Sequence, residues 1–368
     1  MTQTLKTSER LGVVDALRGF ALLAIVLLHN LEHYNLFLVP ENVPAWLQTI
    51  DKYAWDILFF LFAGKAYATF SLLFGFSFYI QFHNAEKRGI DFRGRFAWRM
   101  CLLFLFAQLH ALFYNGDILL LYAVVGFALI PVCKLKDKTV FWIALILLLQ
   151  PYEWGRAIYA MINPDYVVST GHFMPYAMRA QEATANGNFF EVLCSNISDG
   201  QLYSNIWQVE NGRLFQTAAL FMFGMLTGAI LAFIPLYCLK TFVPDLLTNP
   251  SVQIPYKIAV PSYANFAFMI ILVSIFTLLW FKKEKGYGWQ SLLIPYGRMS
   301  LTNYISQSIM GVIIYYGFGL AMYKYAGATA SLLIALLIFT VQLIFSRWCL
   351  ARHKQGPLEF LWRKGTWI

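Results

Sequence analysis

Arg18 and His29 stand eleven residues apart in the first long apolar run, Asp15-Ala-Leu-Arg18-Gly-Phe-Ala-Leu-Leu-Ala-Ile-Val-Leu-Leu-His29-Asn30. At ~100° per residue, three helical turns bring the two side chains within ~20° of each other and ~16 Å apart along the axis. Both are therefore expected to face one interior. An ionisable group at membrane depth is costly, and by default it marks a substrate path or a catalytic centre. A neutral imidazole there can take a proton from a hydroxyl or an amine, or carry an acyl group transiently. A guanidinium holds phosphates or carboxylates. Asp15, one turn before Arg18, is placed to pair with it, and Asn30 adjoins the imidazole. The ordinary alternatives are an arginine reaching lipid phosphates and a satisfied core histidine.

A second pair, His110 and Asp117, sits seven residues apart on one face of a later run, with Asn115-Gly116-Asp117 reading as a tight turn. If that face meets the first helix, either residue is placed to orient His29; the competing role for Asp117 is to cap the next helix. Lys65, alone in an uncharged stretch, is expected to reach the headgroups rather than pair with Asp51 or Asp56. Gly64, Ser71, Gly75 and Ser77 read as close helix packing. Ser300, Asn303 and Gln307 share a face and read first as interhelical hydrogen-bonding groups. No phosphate loop, zinc spacing or serine nucleophile elbow is present, so no metal is expected. The five cysteines are scattered and define neither a disulfide framework nor a metal site.

The elements that must position these groups follow from composition. The chain has 368 residues, 59% of them hydrophobic and 13% charged, with a mean hydropathy of +0.57, too apolar for a soluble globule. The net charge of +9 points to anionic headgroups rather than to nucleic acid. Apolar runs fall near 12–32, 58–82, 98–115, 118–133, 139–155, 214–232, 261–281, 299–320 and 328–348. Basic clusters occupy alternate gaps, around Lys6 and Arg10, Lys87 to Arg99, Lys134 to Lys138, Lys282 to Arg298 and Arg347 to Lys364, and the positive-inside rule makes these cytoplasmic. The parity then demands one more crossing, supplied by two helices meeting near Gly228 and Ala229 within 213–242; the alternative is one long helix followed by a re-entrant segment around Pro244 to Pro261. The expectation is an all-α, polytopic integral membrane protein of about ten transmembrane helices, forming a single domain over 1–368 with both termini cytoplasmic. Residues 33–57 and 156–210 fall outside. The longer insert, with a short helix near Tyr176 to Ala185, is either a cap over an outward pocket or a lipid-surface segment.

Five blocks, taken in order, resemble one family. They are Asp15-Ala-Leu-Arg18-Gly-Phe-Ala-Leu-Leu, Phe70-Ser-Leu-Leu-Phe-Gly75, Leu109-His-Ala with Gly116-Asp117-Ile-Leu, Gly297-Arg-Met-Ser-Leu-Thr-Asn-Tyr304, and Gly356-Pro-Leu-Glu-Phe-Leu-Trp-Arg363. The chain resembles the YeiB-like membrane proteins, domain-of-unknown-function family 418, with the last two blocks defining a family region over about 290–368. That family looks like a branch of the transmembrane acyltransferases, whose O-acyltransferase members carry an Arg and, after ten residues, a His that map onto Arg18 and His29. The resemblance implies an inner-membrane protein of bacteria that takes an acyl group, acetyl in the first instance, from cytoplasmic acyl-CoA. An outward glycan, lipid or small molecule would accept it. Under this reading His29 is the base or acyl carrier, Arg18 with Asp15 holds the donor, and Asn30, Asp117 and His110 orient. Lipid is the standing partner, nucleic acid is not expected, and self-association is open. The competing classes are a small-metabolite transporter, against which no inverted repeat is seen, and a non-catalytic sensor or assembly protein.

Overall fold

The computed structural model describes residues 12–40, 43–163, 165–226, 249–282 and 288–367, among which every regular element is helical and no strand occurs. In chain order the α-helices are α1 (Gly12–Leu31), α2 (Ala45–Phe62), α3 (Ala66–Glu86), α4 (Arg93–Ala111), α5 (Leu119–Gly126) and α6 (Leu129–Val132). Then come α7 (Asp137–Leu148), α8 (Pro151–Ile162), α9 (Met174–Asn186), α10 (Phe189–Ser195), α11 (Gln201–Glu210) and α12 (Arg213–Met225). The last group is α13 (Pro250–Lys282), α14 (Leu293–Arg298), α15 (Ser300–Tyr315), α16 (Ala328–Arg352) and α17 (Pro357–Thr366).

Among the described residues, four stretches are long and apolar enough to cross a membrane: α1, the α2–α3 unit, α13 and α16. The chain is thus an all-helical membrane protein. Several expected spans break into shorter pieces, and the breaks have local causes. Pro131 cannot donate to the Phe127 carbonyl and its ring crowds that group, so the run at 118–133 divides into α5 and α6. Pro151 disfavours helical backbone at Gln150, which adopts the left-handed region (φ 54°), and the run at 139–155 divides there into α7 and α8. Pro255 and Pro261 are instead inside α13, so this part of the re-entrant alternative is helix. The join at Gly228 and Ala229, Pro244, and the basic residues Lys6, Arg10, Lys283 and Lys285 lie outside the described residues.

α1 is the axis of the bundle. It packs against α3, α14, α15 and α16, and the backbones of α1 and α14 touch, because a Cβ on Gly297 would overlap the Asp15 carbonyl. A second glycine contact joins α3 to α12, where a Cβ on Gly75 would overlap the Phe221 carbonyl, in keeping with the small-residue packing expected of that stretch. α2 buries none of its side chains and turns Trp46, Ile50, Tyr53, Ile57 and Phe60 outward, as a lipid-facing helix does. At the α2–α3 junction, Lys65 does not reach the surface. It is buried at 6% exposure, its ammonium donates to the Phe60 carbonyl at 2.8 Å, and it lies over the rings of Phe60 and Phe268. Asp51, considered as its partner, accepts from the Thr329 backbone N–H at the start of α16.

Polar residues fix α15. Asn303 donates to the Tyr296 carbonyl and to Ser346, each at 2.9 Å, and Gln342 of α16 donates back to the Asn303 carbonyl at 2.8 Å. The helix-gluing role expected for Asn303 is therefore met. Gln307, on the same face, is fully buried with neither side-chain polar atom hydrogen-bonded. The N-terminus of α15 is closed by Glu359 of α17, which accepts from the backbone N–H groups of Leu301 and Thr302 and from the Thr302 hydroxyl. α17 also packs on the first turns of α4, with Arg95 over Trp367 and Arg99 over Trp362. These contacts gather Arg95, Arg99, Arg298, Lys354 and Arg363 at one end of the bundle.

Candidate functional site

Two cavities lie back to back inside the bundle. The first, about 430 Å³, opens among the basic residues and is lined by Arg18, Arg99, Arg298 and Arg363, with an apolar interior that includes Phe74, Phe78, Met100 and Leu103. The acidic residue among its described lining residues, Glu359, has both carboxylate oxygens engaged by α15. Arg18 is held by Asp15 at 2.9 Å and by the hydroxyl of Ser77. Four guanidiniums above an apolar stem suit a ligand with an anionic head and a slender body.

The second cavity, about 320 Å³, is lined by His29, Glu32, Tyr67, Tyr114, Trp207 and Arg213 among others. The insert between α8 and α12 supplies Tyr203, Ser204, Trp207 and Gln208 from α11, so it forms one wall of this chamber. The expected short helix within it is present as α9.

The partition between the chambers is thin: no described residue lines both, and neighbouring residues from the two linings meet across it. Tyr304 of α15 lines the first cavity, and its ring centroid lies 6.4 Å from that of His29 in the second. Ile118 and Leu119, neighbours in sequence, line the second and the first respectively. Tyr122 of the first cavity donates to the carbonyl of Tyr67 in the second at 3.0 Å. Arg18 and His29 thus share a face of α1 but serve different chambers.

Behind the partition, His110 and Asp117 come together, not along one helix face, since α4 ends at Ala111, but across the turn that leads to α5. His110 Nδ1 lies 2.9 Å from Asp117 Oδ1, with both side chains buried. The Tyr304 hydroxyl also donates to Oδ1 at 3.3 Å, and the Leu120 backbone N–H donates to Oδ2 at 3.3 Å. A carboxylate can only accept, so the His110 proton sits on Nδ1, and Nε2 is left buried without a partner. Asp117 therefore orients His110 and also caps α5. Neither residue bonds to His29; the two imidazoles are linked through rings they share. His29 lies 5.2 Å from Tyr114, and His110 lies 5.9 Å from Tyr114 and 5.3 Å from Tyr304. His29 Nδ1 is likewise buried without a hydrogen bond. Asn30 turns away from the cavity, donating to the Val26 carbonyl at 2.7 Å and to the Tyr34 hydroxyl at 3.3 Å.

The chain leaves α1 through a strained turn. His33, Tyr34, Asn35 and Phe37 all have positive φ, at 47°, 54°, 71° and 52°. Such residues cost of order 1–3 kcal/mol each and persist where their surroundings over-determine them. The surroundings here do so. His33 bridges the Leu38 carbonyl and Ser331, the Tyr34 hydroxyl donates to the Gln307 carbonyl, and Tyr316 donates to the Tyr34 carbonyl. The turn brings the Tyr34 ring 5.6 Å from His29.

Sequence spacing did not single out Glu32, Arg213 or Tyr304. Glu32 lies just past the end of α1, and burial pushes its carboxyl up to about 7, against the pull of Arg213 in the other direction. Its signal was present, one helical turn beyond His29. Arg213 lies over the rings of Tyr67 at 4.3 Å and Trp207 at 5.5 Å. Within α11, burial and then Glu32 push the Tyr203 hydroxyl up to about 12.

Fold and site together define an all-helical membrane protein in which a basic cavity and a histidine-bearing cavity meet across the Tyr304–His29 contact. Residues 213–368 match the family model described as "Protein of unknown function (DUF418)". Similar over nearly their whole lengths are an uncharacterised 39.9 kDa protein encoded in the amylase 3′ region of Bacillus acidopullulyticus (30% identical; 98% of this chain, 94% of the relative) and the uncharacterised YxaH of Bacillus subtilis strain 168 (29%; 98% and 95%). Uncharacterised YeiB of Escherichia coli K12 is 27% identical, over 97% and 96%. The chain belongs to this YeiB-like DUF418 family. No solved structure matches it.

Proposed function

We propose that this chain is a membrane-embedded acyltransferase, moving an acyl group from cytoplasmic acyl-CoA in the arginine-lined cavity to an acceptor in the His29 cavity. The observation that carries this reading is the thin partition: an arginine-lined cavity and a cavity lined by His29 meet across the Tyr304–His29 contact, an arrangement that suits a donor on one side and an acceptor on the other. The arginine end is taken as cytoplasmic by the positive-inside rule, which also places both termini there in a bundle of about ten crossings of a bacterial inner membrane. Arg18, Arg99, Arg298 and Arg363 would hold the donor's phosphates, and the apolar wall its pantetheine arm. His29 takes the proton of the acceptor hydroxyl or amine as that atom attacks the thioester carbon. The carbon–sulfur bond breaks, and the proton passes to the departing thiolate. The Asp117–His110–Tyr304 cluster fixes the wall against which this happens.

The test is transfer of label from radioactive acetyl-CoA to material extracted with or supplied to the purified protein. His29→Ala should abolish transfer at unchanged folding, and Arg99→Ala should weaken donor binding. Substrate uptake into proteoliposomes without acyl turnover would overturn this reading in favour of transport, and donor binding with neither activity would favour a sensor.

A further inference from the structure

Among its described lining residues the second cavity carries one carboxyl, Glu32, and one guanidinium, Arg213, that do not form an ion pair. Glu32 lines it one turn beyond His29, and its carboxyl makes no hydrogen bond or ion pair with the side chain of any described residue, Arg213 included. Arg213 lines the same space and is pinned over the Tyr67 and Trp207 rings, with Nη1 donating to Gln216 at 3.2 Å. At half-buried positions, opposite charges close on each other, take up or lose a proton, or are answered by something between them, and a cavity between the two leaves room for the last. A volume of about 320 Å³ is at the small end of the range for ligand sites, roughly 300–1,000 Å³.

We infer that this cavity takes a small zwitterion carrying both an ammonium and a carboxylate, of the α-amino-acid type, with the ammonium on Glu32 and the carboxylate on Arg213. The charges select it. A simple cation would face Arg213, a simple anion would face Glu32, and a neutral polyol would leave both charges unanswered. Tyr114 and Tyr203, which line the cavity near Glu32, add aromatic rings to the surroundings of the ammonium, to which such rings are attracted. A fork of N–H donors on Arg213 matches a carboxylate.

The binding claim stands on the cavity alone; the acceptor role rests on the acyl-transfer reading. In that role the ammonium first gives one proton to the Glu32 carboxylate. The neutral nitrogen then attacks the thioester carbon, the carbon–sulfur bond breaks, and the second proton travels through His29 to the thiolate. The products are an N-acylated amino acid and free thiol.

Binding is measured without donor, by calorimetry on the full chain in detergent, using the twenty common amino acids, the amine and carboxylate analogues of any that bind, and glucose. At least one amino acid should bind, and deleting either of its charged ends should weaken it at least tenfold. Glu32→Gln and Arg213→Gln should each do the same. Ser204→Trp, which fills the chamber from the α11 wall, should abolish binding and covers the case in which a charge variant fails to fold. No binding by any amino acid, equal binding by a single-charge analogue or glucose, or affinity indifferent to Ser204→Trp would overturn the inference. Binding that behaves as expected alongside absent acyl transfer would defeat the proposed reaction and leave the zwitterion site standing.

Discussion

Removing His110 and Asp117 singly and together should give a strongly non-additive result. The two side chains meet at 2.9 Å, with exposures of 0% and 4%. A hydrogen bond to a charged group contributes about 1.5–3 kcal/mol. His110→Ala removes that bond but leaves Asp117 with the Tyr304 hydroxyl and the Leu120 N–H. Asp117→Ala is the harsher change, because it strands His110 Nδ1, the Tyr304 hydroxyl and the first turn of α5 together. In the double variant the shared bond is lost once rather than twice, so its cost should fall short of the sum of the singles by about 2 kcal/mol, or roughly thirtyfold in the unfolding equilibrium. The assay is reversible unfolding of the four proteins in one detergent, followed by helical circular dichroism. Additivity within ~0.5 kcal/mol would refute the argument that the pair acts as a unit, and with it the assignment of the His110 proton to Nδ1.

Three further outcomes follow from the geometry. Gly297→Ala forces a Cβ into the Asp15 carbonyl where α1 and α14 touch, and should cost at least the 1–3 kcal/mol typical of overpacking, read as a lower melting temperature, whereas Gly94→Ala, with open space around it, should be silent. Glu359→Gln keeps the shape of the α15 cap but loses its charge, and should cost about 1 kcal/mol by the same measurement. Glu32, raised to about 7 in the fold from the ordinary carboxylate range, contributes stability that is full below that ordinary range and is lost as pH rises toward 7. Glu32→Gln should therefore gain on the parent protein across that window and hold a constant advantage above it; melting curves whose difference is flat with pH would contradict this.

Periodicity made part of this site legible and hid the rest. The eleven-residue spacing placed Arg18 and His29 on one face of α1, and the short turn after α4, read from Asn115-Gly116-Asp117, returns Asp117 to His110; both relations are local in sequence. The partition was invisible, since Tyr304 reaches His29 from α15, far away in the chain, and no period connects them. Arg213 is hidden for the same reason. Hydropathy windows also averaged across Pro131 and Gln150-Pro151, where backbone chemistry breaks the helices, so two apparent spans became four short pieces. Lys65 was misplaced because a lone lysine between apolar residues has two physical outcomes, and only the fold reveals the Phe60 carbonyl beside its ammonium. The strained turn at residues 33–37 belongs with these long-range features. Its residues carry no left-handed signature apart from Asn35, and contacts from Gln307, Tyr316 and Ser331 hold it. Strain imposed from α15 and α16 upon the residues next to His29 makes the imidazole's position a property of the whole bundle. A change in how α15 sits against α1 would move Tyr34, Tyr304 and the ring between them together.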